Sequence, residues 1–564
     1  MRIIIISTLL STGTTPVQSF LPRLRSSFSP LTLIGGLCAL ILAVPVVVVA
    51  GSVFAGGTGE TWVHLLETVL PEFALNTAIM VVAVGAGVAV IGVACAWLTT
   101  MTEFPGRRVF EWALILPLAF PAYVLAYVYT DFLQFVGPLQ SWLRETFQWT
   151  RADYWFPDIR SVGGACAMFT LVLYPYVYML ARTAFLARAG SLTEAARSAG
   201  LGPWAAFVRI SLPLARPAIV AGVSLALMET LADFGTVSYF AVQTFTTGIF
   251  RAWYSLGDRL AAAQLAAALL SCVALVLLLE KASRGRARHT AGQRARPGRR
   301  AELRGLAAAL AGLACFVPLA GGFLLPGYLL LQMAFREGDA QLGSRYLELV
   351  HNSLLVAGLT AACAVLLGLL LAYAARMSRS RLPVGLNRLV GLGYALPGAV
   401  IAVGILIPVT RLDHVFAVFI HSATGSNPGL LLTGSLAALI YAYLVRFLTV
   451  ALGTLETGLA RITPSMDEAA RSLGAGRATT LARVHWPLLR GSLLTAGLLV
   501  FVDVMKELPA TLVMRPFNFD TLATQAYTLA SDERLTEAAT ASLAIVIVGL
   551  LPVILLSRRI GRAQ

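Results

Sequence analysis

Two stretches of this chain nearly repeat each other: SLTEAARSAG at residues 191–200 and SMDEAARSLG at 465–474, displaced by 274 positions. Thirteen residues beyond each closing glycine stands a proline, Pro213 in RISLP and Pro487 in RVHWP. Glu229 with Asp503, and Asp233 with Glu507, keep the same displacement. Upstream it becomes 276, where Asn76 answers Asn352 and AFPAYVLA, containing Pro121, answers ALPGAVIA, containing Pro397. Repetition over this length means that one unit has been fused to its own relative, so the fold of the first half predicts that of the second.

That unit is a membrane unit. Of the 564 residues 58% are hydrophobic and 13% charged, with mean hydropathy +0.78, whereas a soluble domain carries about 45–50% apolar and about 25% charged residues. A bilayer core needs about 20 mainly apolar residues per helix. Six windows qualify in the first half, near 32–56, 76–101, 109–131, 162–182, 214–238 and 261–280. Six more follow near 306–332, 353–375, 389–410, 429–447, 488–513 and 537–557. The expected fold is an all-α integral membrane protein of about 12 transmembrane helices in two homologous six-helix domains. An even number of spans per copy returns the second copy in the same orientation, making the repeat parallel. The division expected is a cytoplasmic tail at 1–31, a first domain at 32–280, a basic linker at 281–304 and a second domain at 305–564.

Charge fixes the orientation. The 43 Lys and Arg against 28 Asp and Glu sit between apolar segments rather than on a nucleic-acid-binding face, so no nucleic-acid partner is expected. With the N-terminus inside, the inner segments collect 32 of the 43 basic residues and the outer loops 10, with Lys506 in a helix. That bias places both termini in the cytoplasm. The opening MRIIIISTLL lacks a convincing cleavage site before the first long apolar run and is taken as part of an uncleaved tail. The most basic stretch, 281–300, reads as a solvated linker between the halves, with contact to anionic lipid as the alternative.

Several chemistries are excluded. Lys281 and Lys506 are the only lysines and neither follows a glycine, so the chain has no phosphate-binding loop of the GK[ST] type. The six cysteines lie singly in apolar stretches and read as core hydrophobes, and the six histidines form no metal-type pair.

The repeated polar motif falls on the basic side, between the fourth and fifth helices of each half. Ser191 and Ser465 are suitable N-caps with Glu194 and Glu468 at the third helical position, a capping-box arrangement. Gly200 and Gly474 then stop a helix of about two turns. One such helix could simply be a well-capped surface element. Two in symmetric loops, with Ala195 and Ala196 permitting close backbone approach, suit a groove on a soluble partner.

This pattern resembles the EAA loop of permease subunits of ATP-binding-cassette importers. The first copy carries Glu194, Ala195, Ala196, Gly200, Ile210, Leu212 and Pro213, and the second Glu468, Ala469, Ala470, Gly474 and Pro487, with Val484 and Trp486 where Ile and Leu are usual. The resemblance implies a type I importer permease in a bacterial inner membrane, with both loops acting as coupling helices. It implies two copies of a separate ATPase holding ATP and magnesium, and one extracytoplasmic binding protein. It implies no cofactor and no catalytic residue on this chain. The segments 229–258 and 506–524 look like those of ferric-iron permeases, with thiamine and 2-aminoethylphosphonate permeases as close relatives.

Ionisable residues inside spans are functional candidates by default. Glu229 and Asp233, like Asp503 and Glu507, are four apart, which would put each pair on one helix face. Four carboxylates near the outer mouth of a central pathway would suit a hard trivalent cation. The competing reading is that they cap or bridge helices or serve as a gate, with Lys506 neutralising Asp503. No ligand set for a bound metal is assigned. The outer loops 132–161, 241–260 and 514–536 are the expected landing platform for a binding protein. Two other classes compete. An ion-coupled secondary transporter also uses parallel six-helix repeats but leaves the paired loops unexplained. An intramembrane enzyme would need a convergent constellation that is not visible.

Overall fold

The structure, a computed structural model, describes residues 30–562 apart from 56–62, 64, 66, 187–199, 201, 285–299, 338–342, 378–381, 427–428, 461 and 475. The tail before residue 30 and most of the linker therefore lie outside the described residues. Among the described residues eleven helices are long and apolar enough to cross a membrane, and a bent pair supplies a twelfth. In chain order, span 1 is Ile34–Ser52, span 2 Leu70–Met101 and span 3 the pair Arg107–Ala119 and Ala122–Phe147; span 4 is Val162–Leu186, span 5 Trp204–Ala232 and span 6 Arg259–Ser283. In the second half, span 7 is Leu306–Phe335, span 8 Ser344–Arg376 and span 9 Gly398–Thr424; span 10 is Leu436–Leu459, span 11 Leu481–Met505 and span 12 Leu535–Ile554. Among the described residues the one sheet pairing is Thr102–Glu103 with Ala301–Glu302, which ties the end of the linker to the base of span 2.

The windows read from hydropathy correspond to these spans one to one, but proline moves their edges. Span 3 turns through 92° between its two pieces. Phe120 and Leu396, each preceding a proline, are extended at ψ 127° and 126°, because the proline ring excludes the α region for its predecessor. The window 389–410 is thereby corrected: a short helix Leu382–Val390 and a tight turn come first, and the long helix starts at Gly398. The window 429–447 becomes 436–459. Windows 214–238 and 488–513 also run too far. Their helices stop at Ala232 and Met505, and short helices Gly235–Tyr239 and Pro509–Met514 follow.

Within each half three spans form a tight trio, 2 with 4 and 5, and 8 with 10 and 11. Small residues permit the approach: a Cβ on Gly222 of span 5 would lie 2.7 Å from the Val177 Cα of span 4, as membrane helices pack through Gly contacts rather than through apolar bulk. Matched polar ties repeat across the halves. Asn76 Nδ2 donates to the Gln243 carbonyl at 2.9 Å and Asn352 Nδ2 to the Asp520 carbonyl at 3.1 Å.

The first span of each half is exchanged. Span 1 packs on spans 8 and 9, and span 7 packs on spans 2, 3, 4 and 12. Spans 6 and 12 likewise reach across to spans 9 and 3. Tyr129 donates to the Gly321 carbonyl at 2.6 Å and Tyr441 to the Ile41 carbonyl, one crossing bond at each seam. At Gly404 an added Cβ would stand 2.6 Å from the Pro45 carbonyl oxygen, with no side chain to give way. Gly404→Ala is therefore expected to destabilise the exchanged seam by about 1–3 kcal/mol. Gly51→Ala, where nothing lies within 4 Å, is the control. Thermal loss of the monodisperse peak in size-exclusion chromatography checks the pair.

Candidate functional site

The break in span 3, the turn before span 9 and the C-terminal ends of spans 5 and 11 meet around a cavity of about 110 Å³, room for several waters. Glu229, Asp233, Asp503 and Glu507 all line it. The expectation that each pair shares a helix face is overturned. Asp233 follows the end of its helix with ψ 139°, and Glu507 lies beyond Met505. The four carboxylates are brought together by chain breaks, not by helical periodicity.

The breaks give them unequal work. Asp233 Oδ1 accepts the Thr236 N–H at 2.8 Å, at the start of Gly235–Tyr239. Glu507 accepts the N–H groups of Ala510 and Thr511 at 2.9 and 3.0 Å and the Thr511 hydroxyl at 2.6 Å. These are the orphan donors of a helix N-terminus, where a carboxylate also meets the positive end of the helix dipole. Gly398 is needed here, since its Cβ would fall 2.7 Å from Glu507 Oε1.

Glu229 and Asp503 instead face cations. Arg446 Nη2 is 3.5 Å from Glu229 and its Nη1 is 3.7 Å from Glu507, while Lys506 Nζ is 3.1 Å from Asp503. Among the described residues no three His, Cys, Asp or Glu side chains converge as a metal-ligand group. The acidic quartet of the sequence is thus a mixed-charge cavity. Arg446, counted above with the cytoplasmic loops, is buried inside span 10. Its signal was present: an arginine within LAALIYAYLVRFLTVALGTL is an intramembrane charge, read as the edge of the span because the window closed one residue later.

At the opposite ends of spans 5 and 11, Glu194, Ala195 and Ala196 lie outside the described residues, while Gly200 holds φ 67° and Pro213 lies in the first turn of Leu212–Ala232. In the second copy the motif forms the helix Pro464–Ser472, and Gly474, φ 77°, lies just beyond its end. Glu468 and Ala469 are exposed and Ala470 is buried, and Pro487 sits in the first turn of Trp486–Met505. The N-cap differs from expectation: it is Thr463, with Pro464 as the first helical residue, so Ser465 and Glu468 form no capping box. Proline is pre-set for that first position.

The residue that anchors this helix is Asp467. Its Oδ2 meets Arg376 Nη2 at 2.7 Å and its Oδ1 meets His485 Nε2 at 2.6 Å. Arg376 also donates to the Leu459 and Ile462 carbonyls at 2.7 and 3.0 Å. One carboxylate therefore joins the motif helix to the C-terminal ends of spans 8 and 10 and the N-terminal end of span 11. Burial would raise the Asp467 carboxyl, but the Arg376 and His485 contacts win and hold it below the usual carboxylate range. The first copy has Thr193 and Ser211 at the positions of Asp467 and His485. This coordinated difference was the available signal.

A second tie has kept its place and changed its chemistry. Glu111 stands 3.7 Å from Arg182 in the first half. In the second, Asn387 donates to Glu456 at 2.7 Å, and these occupy the corresponding positions with the acid moved to the other helix.

The family model described as binding-protein-dependent transport system inner membrane component matches twice, over residues 88–289 and 364–563. The chain belongs to this family. The permease is 27% identical over 539 residues to an Fe(3+)-transport system permease protein of Haemophilus influenzae, covering 94% of this chain and 98% of that one. A sulfate transport system permease protein of Escherichia coli is 30% identical over 36% of this chain and 66% of its own. A molybdenum transport system permease protein of the same organism is 31% identical over 26% of this chain and 62% of its own. One matched region falls in each half of the internal repeat.

Proposed function

We propose that the permease is the membrane subunit of an importer for iron(III), delivered by an extracytoplasmic binding protein and driven by ATP hydrolysed on two copies of a separate ATPase. The observation that carries the cargo is the likeness to the Fe(3+) permease over nearly the whole of both chains, supported by the four carboxylates that line the cavity between the halves. The exposed face of Pro464–Ser472, with its counterpart around Glu194, Ala195 and Ala196, is the ATPase-coupling surface; Glu468, Ala469, Ala470, Gly474 and Pro487 shape it, as do Gly200 and Pro213 in the first copy. Glu229, Asp233, Asp503 and Glu507 line the substrate pathway. ATP and magnesium belong to the ATPase, and this chain contributes no catalytic group. The permease lies in the bacterial inner membrane with both termini in the cytoplasm, in keeping with the basic residues of its inner segments.

Transport follows from geometry alone. Closure of the ATPase dimer moves the two coupling loops, and in the second copy Asp467 ties the motif helix to spans 8, 10 and 11. The halves rock, and the cavity opens to one side and then the other. The test is ATP hydrolysis by the reconstituted complex with iron-loaded or empty binding protein. Stimulation by the loaded protein that disappears in Glu194→Ala/Glu468→Ala, with assembly intact, is expected. Stimulation only by an oxyanion-loaded protein would keep the importer and discard iron. No association with an ATPase would discard both.

A further inference from the structure

We infer that Arg446 and Lys506 are resident counter-cations of a transit site whose cargo-facing ligands are Glu229 and Asp503, and that a highly charged cation enters by displacing them. This rests on the iron(III) reading above and adds what selects the ion.

The carboxylates fall into two kinds. Asp233 and Glu507 are committed to backbone N–H groups at the short helices, so moving them would unmake local structure. Among the described residues the partners of Glu229 and Asp503 are Arg446 and Lys506. The Arg446 contacts, at 3.5 and 3.7 Å, are longer than the roughly 2.7–2.9 Å of a tight charge-assisted bond. Arg446 is held but not clamped.

One oxygen of the wall lacks a partner: among the described residues the Tyr123 hydroxyl is buried with no hydrogen bond, and Tyr123 lines the cavity. An unpartnered buried polar atom is costly unless something occupies the space beside it. The phenol is a further hard oxygen donor on the cavity wall, on the side of Asp233 and Glu507.

The cations break the symmetry of the repeat. At the positions corresponding to Arg446 and Lys506 the first half has Val172 and Ala232, which also line the cavity. Both positive charges therefore belong to the second half, and Glu229 of the first half is neutralised only from across the interface. Any rocking of the halves stretches the Glu229–Arg446 pair and leaves Glu229 exposed to an incoming ion. Coulomb attraction grows with the charge of that ion, so a trivalent cation competes with two tethered monovalent ones where sodium or potassium does not. The pair is a lock selective for charge, and it keeps the closed cavity from leaking.

The experiment uses the complete complex in vesicles with a chelating dye inside, reading entry of free Tb³⁺ without ATP and ATP-driven uptake from the iron-loaded binding protein. Arg446→Gln is expected to raise Tb³⁺ entry and lower iron uptake, each by about tenfold, the scale of a typical coupling between sites. The charge exchange Glu229→Arg/Arg446→Glu is expected to restore tightness to Tb³⁺ but not iron uptake, because the cargo ligand is gone. Recovery of both by the exchange would make the pair a purely structural link and overturn the inference, as would an Arg446→Gln complex unchanged in both assays. Should that variant fail to assemble, Glu229→Gln decides: iron uptake falls about tenfold with binding-protein stimulation of ATP hydrolysis retained, and unchanged uptake overturns the inference. If iron-loaded protein does not drive the wild type, the iron reading fails, while the Tb³⁺ arm still reports on the lock.

Discussion

Asp467→Ala is expected to reduce uptake by about tenfold to a hundredfold, the range spanned by coupling energies of about 1–3 kcal/mol, while ATP hydrolysis persists without cargo. The substitution leaves Arg376 with only the Leu459 and Ile462 carbonyls and takes from His485 Nε2 its carboxylate partner. The motif helix then moves against the ATPase without carrying spans 8, 10 and 11. Asp467→Asn keeps a hydrogen-bonding group and should retain more of the coupling. Acid acts in the same direction: a carboxyl held below its ordinary value contributes stability that is present above the unfolded pKa and lost as pH falls through the folded one. The latch therefore persists at physiological pH and fails only below about pH 4. The ratio of iron transported to ATP hydrolysed, followed against pH in vesicles, checks both statements.

Glu507→Ala is expected to be the most destabilising of the cavity substitutions, by about 3–5 kcal/mol. It strips two backbone N–H groups and the Thr511 hydroxyl of their acceptor and removes one of the two carboxylates that face Arg446. The Glu507 side chain is only 2% exposed, so water does not replace it. Glu507→Gln retains one acceptor oxygen and should recover part of the loss. Glu229→Gln, whose parent holds no helix terminus, should assemble like the wild type. Yield and thermal midpoint of the purified permease in detergent separate the three.

The pattern of what was readable follows from what periodicity and proline each encode. Twelve apolar runs and a displaced polar motif suffice for spans, duplication and family. Helix ends are set by particular contacts: Pro397 moves the start of span 9 to Gly398, and Asp233 and Glu507 close their helices by capping the next ones. A four-residue spacing reads as one face only while the helix continues, which is why the carboxylates met in the cavity for a different reason from the one expected. The partners of Arg446 and Asp467 were hidden otherwise. Each matters through residues far along the chain, Glu229 and Arg376 respectively, and sequence spacing carries no record of such partners.

The exchange of first spans has a consequence for biogenesis. Span 1 is complete before any of span 8 or span 9, on which it packs, has been synthesised. Its seam must meanwhile face lipid, and the backbone at Pro45 waits for Gly404. The first half consequently has no finished state of its own in the bilayer. Two separately expressed halves should accumulate only when made together, and quality control by membrane proteases should see an orphan half as incomplete even when all six of its helices are inserted.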